Sequence, residues 1–268
     1  MSPKFKYFFF LVLVIIGPIF NSYSQIFDGT NLSSSKPYFS KLPYVFDGSE
    51  SYFITFKTDS AILRELVPVP LNPLKSDELT VVFAKHRIVS PTMLNYNEAY
   101  FVTTAGYGLA FGGFIPVLYL DKIEAITPAR EIWGYNKVGG DFEFIEEDSL
   151  VTIILSRMDA LIMKATFVLG ETFIPEEQSP MGPVFNLKYI PSAIENAPPD
   201  VHQITTSIIA DGKTHTMRLG TATLEFFHSY YNPVDKIPIK EITGAGYFKS
   251  SFSMVYGDVL YDYLKEKD

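Results

Sequence analysis

From Tyr52 onward the chain is a succession of strand-length runs, rich in β-branched and aromatic residues and closed by glycine, aspartate or proline. Each run must bury at least one face, which leaves an antiparallel sheet folded onto itself as the main solution. Strands are expected near residues 52–57, 79–88, 100–104, 115–120, 150–155, 161–169, 184–190, 203–209, 214–225 and 253–261. Helical signals are few. Asp59 or Ser60 caps a segment with Ile62, Leu63, Leu66 and Val67 on one side, and Pro68 stops it. Thr127 is placed to cap a short helix with Pro128 at its first position and Gly134 at its end. The fold class is therefore mostly antiparallel β, of the α+β kind, with a few short helices. Apolar residues make up 47% of the chain, enough for one sizeable core, and no repeat or flexible linker divides it.

The first residues carry a different signal. Lys4 and Lys6 precede the apolar stretch Phe8 to Phe20, and Ser22 and Ser24 stand at −3 and −1 of a cut before Gln25. Residues 1–24 read as a cleavable signal peptide, 25–41 as a polar extended lead-in and 42–268 as one domain, secreted or periplasmic. The apolar stretch falls short of the ~20 residues a bilayer span needs, so no stable membrane insertion is expected after cleavage. Cleavage removes two lysines and no acid, taking the formal charge from −8 to −10, a balance that repels phosphate backbones and argues against a nucleic-acid partner. Cysteine is absent, which excludes disulfides, thiolate catalysis and zinc–thiolate sites.

Most chemical signatures fail on spacing. Gly106, Gly108, Gly112 and Gly113 do not match a dinucleotide fingerprint and read as turns or close strand crossings. His86, His202, His215 and His228 are scattered, without metal-site companions. Glu146, Glu147 and Asp148 form an acidic run expected at a solvated turn, and the Gly-x-Ser-x-Gly elbow of serine hydrolases is missing. The segment from Thr127 to Gly140 stands apart. Its Lys137, flanked by Trp133, Tyr135 and Val138, is a candidate for an amine stripped of enough water to attack a carbonyl. On composition alone a surface lysine with its stem laid on apolar neighbours is the commoner case.

The run Arg130-Glu131-Ile132-Trp133-Gly134-Tyr135-Asn136-Lys137 closely resembles the active-site segment of the acetoacetate decarboxylase family, where Arg-Glu leads through an aromatic residue to the Schiff-base lysine. The resemblance extends to Pro43-Tyr44-Val45-Phe46, the stretch from Thr58 to Leu71, Tyr119-Leu120-Asp121, the block Asp235 to Ile242 and the ending Tyr261 to Lys265. It implies a closed, cone-like or double-barrel sheet around a hydrophobic pocket, usually in a homo-oligomer. It also implies chemistry without metal or organic cofactor, in which the lysine condenses with a keto acid and the imine takes up the electrons released with carbon dioxide. Lys137 matches that nucleophile and Glu98 one of the pocket glutamates. The other matches depart: the family's second lysine is Val138 here, its carboxylate-binding arginine is Ser49, and its other pocket glutamate is Ala84.

With Ser49 for the arginine, no guanidinium fork holds a carboxylate, and Ala84 removes an acid and enlarges the pocket. If Ala84 faces the pocket, strand alternation puts Val82, His86 and Ile88 on the same face and turns Lys85 and Arg87 away. His86 then becomes a candidate proton shuttle, the alternative being a core histidine bonded to a backbone carbonyl. The reading is a Schiff-base-forming lyase that takes a small keto acid or other carbonyl compound, by decarboxylation or aldol-type chemistry, rather than an efficient acetoacetate decarboxylase. Lys137, Glu98 and His86 are the catalytic candidates, and Ser49, Ala84, Tyr135 and Val138 the substrate-binding ones. A non-catalytic exported protein that binds ligands in the same apolar pocket is the alternative.

Overall fold

The structure is a computed structural model that describes residues 39–75, 77–177 and 182–265. The expected signal peptide and nearly all of the lead-in lie outside those residues. The strands are β1 (Tyr44–Lys57), β2 (Asn72–Pro73), β3 (Glu78–Ser90), β4 (Leu94–Tyr107), β5 (Ala110–Phe114), β6 (Leu118–Leu120), β7 (Lys137–Gly139), β8 (Asp141–Glu147), β9 (Leu150–Arg157), β10 (Ala160–Leu169), β11 (Val184–Ile190), β12 (Val201–Phe226), β13 (Glu241–Val255) and β14 (Val259–Asp262). Helix α1 (Ser60–Leu66) follows β1, and helix α2 (Ile123–Ile132) lies between β6 and β7.

Seven of these strands close a ring. The order runs β11-β5-β4-β3-β1-β13-β12, and β12 returns to pair with β11. A strand of 26 residues makes this possible by dividing its hydrogen bonds. Its first part pairs with β11, its middle with β13 from Ile208 to Leu219, and its last part with β10 from Gly220 to Phe226. From there β10, β9 and β8 continue as a second antiparallel layer.

Strand β3 explains how the two layers meet, because both of its faces are covered. Leu79, Val81 and Phe83 join Val151, Ile153 and Leu155 of β9 and Met163, Ala165 and Phe167 of β10 in one core outside the ring. Ile88 belongs to a second cluster with Phe46, Tyr96, Leu118, Trp133 and Val184, inside it. Each large side chain so buried contributes roughly 1.5–3 kcal/mol, so the outer core fastens the second layer and the inner one walls the ring. Alternation along β3 then decides what faces inward: Val82, Ala84, His86 and Ile88.

The mostly antiparallel fold expected from the strand runs is the one observed, with two short parallel pairings, β5 with β11 and β6 with β7. Three local expectations need correction. Helix α2 starts at Ile123, so Pro128 lies inside it, and Thr127 donates to the Ile123 carbonyl instead of capping. Strand β13 begins at Glu241, a dozen residues before the expected strand near 253, because its glycines and serines hide the alternation. Glu146 belongs to β8 and accepts from Tyr52 at 3.0 Å, so the acidic run is not merely solvated surface.

Candidate active site

Helix α2 sets the position of Lys137. The helix ends through Gly134, whose φ of +84° only glycine adopts without strain, and its N–H bonds the carbonyls of Ala129 and Arg130. Any Cβ there would lie 2.4 Å from Lys188 Cα on β11, so the close approach requires glycine twice over. The chain then turns into β7, pairing Lys137 with Leu118 of β6. The Arg130 guanidinium donates to the Lys137 carbonyl at 3.0 Å, and Asn136 Nδ2 to that of Pro116 at 2.9 Å. The backbone of the lysine is thus fastened on both sides, and its side chain runs inward. The surface-lysine alternative is overturned: Lys137 is only 7% exposed.

Its amine Nζ bonds Glu98 Oε2 at 2.8 Å and lies 5.5 Å from the ring centres of Tyr96 and Tyr135. Glu98 stands on β4 directly opposite Ala84 of β3. Burial raises the Glu98 carboxyl, but the amine of Lys137 and the imidazole of His86 outweigh it and hold the group down from 4.5 to about 2. The resting site therefore contains a carboxylate beside the amine. His86 Nε2 is 3.5 Å from Glu98 Oε1, and His86 Nδ1 is 3.1 Å from Ser49 Oγ. Phe46, Tyr96 and Phe252 pack around the imidazole ring. Among the described residues no backbone carbonyl is bonded to it; the ring joins two side chains, as a proton relay requires.

Ser49 reaches this position through a bulge in β1, whose register slips between Phe46 and Ser49. Gly48 there has φ +66°, and its N–H donates to Ser251 Oγ at 3.0 Å, while Ser251 donates to Asp47 at 3.1 Å. On the opposite wall Tyr135 OH meets Ser207 Oγ at 2.6 Å, with the Asn186 side chain beside the phenol. Burial raises the phenols of Tyr96, Tyr100 and Tyr135 far above their ordinary range, so all three remain neutral hydrogen-bonding groups at any physiological pH. A cavity of about 510 Å³, bordered by Phe114, Pro116, Arg130 and Leu187, adjoins the site at Tyr135.

Of the residues singled out in the sequence, Lys137, Glu98, His86, Ser49, Ala84 and Tyr135 come together inside the ring. Val138 does not. As the next residue of β7 it turns to the other face and packs on the core between the layers, so it neither lines the site nor faces the amine. Lys85 and Arg87 point outward as alternation requires; Lys85 pairs with Glu146, and Arg87 lies 3.8 Å from Asp47. Sequence reasoning missed Tyr96, Asn186, Ser207 and Ser250. The available signal was a polar residue at an inward position of an apolar run, as at Asn186 in Val184–Ile190.

Known proteins share this arrangement of strands. The sequence profile of the family Acetoacetate decarboxylase (ADC) matches residues 32–264. The chain belongs to the acetoacetate decarboxylase family. It is thereby a decarboxylase-like enzyme of the lyase class. It is 29% identical over 234 residues to an acetoacetate decarboxylase of Clostridium botulinum, covering 86% of this chain and 94% of that protein. It is 30% identical over 240 residues to one of Burkholderia cenocepacia, covering 87% and 94%. Among solved structures, acetoacetate decarboxylase from Legionella pneumophila superposes with a TM-score of 0.74 at 25% identity, covering 91% of this chain and 99% of that one. The enduracididine biosynthesis enzyme MppR complexed with pyruvate shares the fold, with a TM-score of 0.71 at 15% identity over 84% of this acetoacetate decarboxylase-family chain and 92% of its own.

Proposed function

We propose that this protein is a Schiff-base-forming lyase acting on a small carbonyl compound, with Lys137 as nucleophile. One observation carries the reading: among the described residues Lys137 is the only buried lysine or arginine, and its amine touches a carboxylate at 2.8 Å within an aromatic enclosure. The amine first gives a proton to the Glu98–His86 pair and attacks the carbonyl carbon. The new C–N bond replaces the carbonyl oxygen, which leaves as water. The protonated imine then accepts the electron pair of an adjacent breaking C–C bond, and carbon dioxide or a second carbonyl fragment departs. An enamine remains, takes a proton at carbon and is hydrolysed to free amine and product. Glu98, anionic throughout, is the counter-charge of the imine, and His86 is the group placed to move protons.

The test is borohydride trapping with small aldehydes, ketones and keto acids, read by peptide mass. Adduct should form on Lys137 and vanish in Lys137→Ala. Labelling of that variant at the level of the parent would refute the assignment, and reversible ligand binding without any adduct would point to a carrier instead.

A further inference from the structure

The walls of the ring constrain what the substrate carries beyond its carbonyl. Among the described residues the buried ionisable side chains other than tyrosine are Lys137, Glu98 and His86. Lys137 and His86 both already face Glu98, so a substrate carboxylate entering here would be an additional buried anion with no guanidinium or second ammonium to meet it. What the interior offers instead is neutral. Ser49 and Ser250 are direct partners across β1 and β13, fully buried, and on the face shared with Phe252 and Met254 of the inner cluster. Among the described residues Ser49 Oγ has one bond, to His86, which leaves further capacity on a hydroxyl with one donor and two acceptor positions. Ser250 Oγ has no partner among the described residues, and neither has Asn186 Oδ1 on the opposite wall. A buried hydroxyl left unpaired is destabilising, a penalty that a ligand hydroxyl both accepting from Ser250 and donating to Ser49 removes.

We infer that the substrate is an uncharged carbonyl compound bearing a hydroxyl, a hydroxyketone or hydroxyaldehyde, whose carbonyl meets Lys137 while its hydroxyl occupies the Ser49–Ser250 pair beside His86. This inference rests on the Schiff-base reading above. The covalent step is the same: the amine adds to the carbonyl, water leaves, and added borohydride delivers hydride to the imine carbon, fixing the C–N bond.

The experiment offers the full native protein two chain-matched pairs, 4-hydroxybutan-2-one with acetoacetate and 5-hydroxypentan-2-one with levulinate, with borohydride present. Adducts are quantified by intact mass, counting decarboxylated and dehydrated forms, and each ratio is normalised to trapping by a free alkylamine. In at least one pair the hydroxyketone should be favoured at least ~5-fold, the scale expected when a ligand hydrogen bond replaces an unpaired polar group. Ser49→Ala, a substitution the fold tolerates on volume, should return that ratio toward the free-amine value. Ratios below that threshold in both pairs, or a ratio unchanged by Ser49→Ala, overturn the inference and leave the Schiff base standing. Absence of any adduct, or adducts that survive Lys137→Ala, removes the Schiff-base reading itself and the inference with it.

Discussion

Glu98 is squeezed between two opposing demands. Its burial disfavours charge, while an amine at 2.8 Å and an imidazole at 3.5 Å favour it, and the charges win, with the carboxyl depressed from 4.5 to about 2. A depressed acid contributes stability that is fully present above its ordinary value and is lost as pH falls through 4.5 toward 2. Denaturant unfolding of the native protein should therefore weaken on acidification through that window. Glu98→Gln should flatten that part of the profile. At neutral pH it should also cost about 3–5 kcal/mol, because the ammonium of Lys137 is left buried without its partner. Equal acid sensitivity of parent and variant would show that the carboxylate is not held by the pair. The same reasoning explains Ser49: a small hydroxyl suffices to orient His86, and it adds no charge to a cluster already balanced.

At the scale of elements, the turn from α2 into β7 does more for the site than either element alone. The helix delivers Trp133, whose Nε1 donates to the Val255 carbonyl at 3.1 Å, and the strand delivers Lys137 four residues later. Between them Gly134 must hold φ at +84° with β11 against it. Gly134→Ala meets Lys188 Cα and Cβ at 2.4 Å and forces a left-handed alanine, so it should destabilise by more than the ~1 kcal/mol of the backbone conformation alone. Thermal unfolding should register a drop of several degrees or failure to fold, with imine trapping at Lys137 lost in whatever folded protein remains. A variant with the parent's melting temperature and trapping yield would show that β11 yields at this point. The bulge at Gly48 is the counterpart on β1: it spends a register slip to turn Ser49 inward toward His86.

For the molecule as a whole, the sequence of charge, apolar run and small residues at the N-terminus leads us to propose export with cleavage before Gln25. Intact mass of the protein recovered from its native compartment should lack residues 1–24, and a full-length cytoplasmic form would defeat the proposal. Among the described residues Glu98 is the only buried acid and its charge is met by Lys137, so the charge of −10 that cleavage would leave does not bear on the site.

Local pattern was enough for the fold class, because period-two alternation is a property of neighbours in the chain: β3, β10, β11 and most of β12 are legible as runs of residues. It was enough, with Ala84 facing inward, to put His86 on the same face and Arg87 outside, since alternation is strict within one strand. Local pattern failed where the backbone departs from regularity, as in β13 with its glycines and serines, and in α2, which runs through Pro128. Pairings between distant segments lay beyond it altogether. That Ser49 bonds His86, that Ser250 stands beside Ser49, that Asn186 lies beside Tyr135 and that Val138 belongs to another core all follow from strand register and a closed ring. The sequence by itself thus determined which residues have the chemistry and which face each takes within its own strand. Only the tertiary structure decided which of them meet, because contacts across the ring depend on hydrogen-bond registers that no single segment encodes.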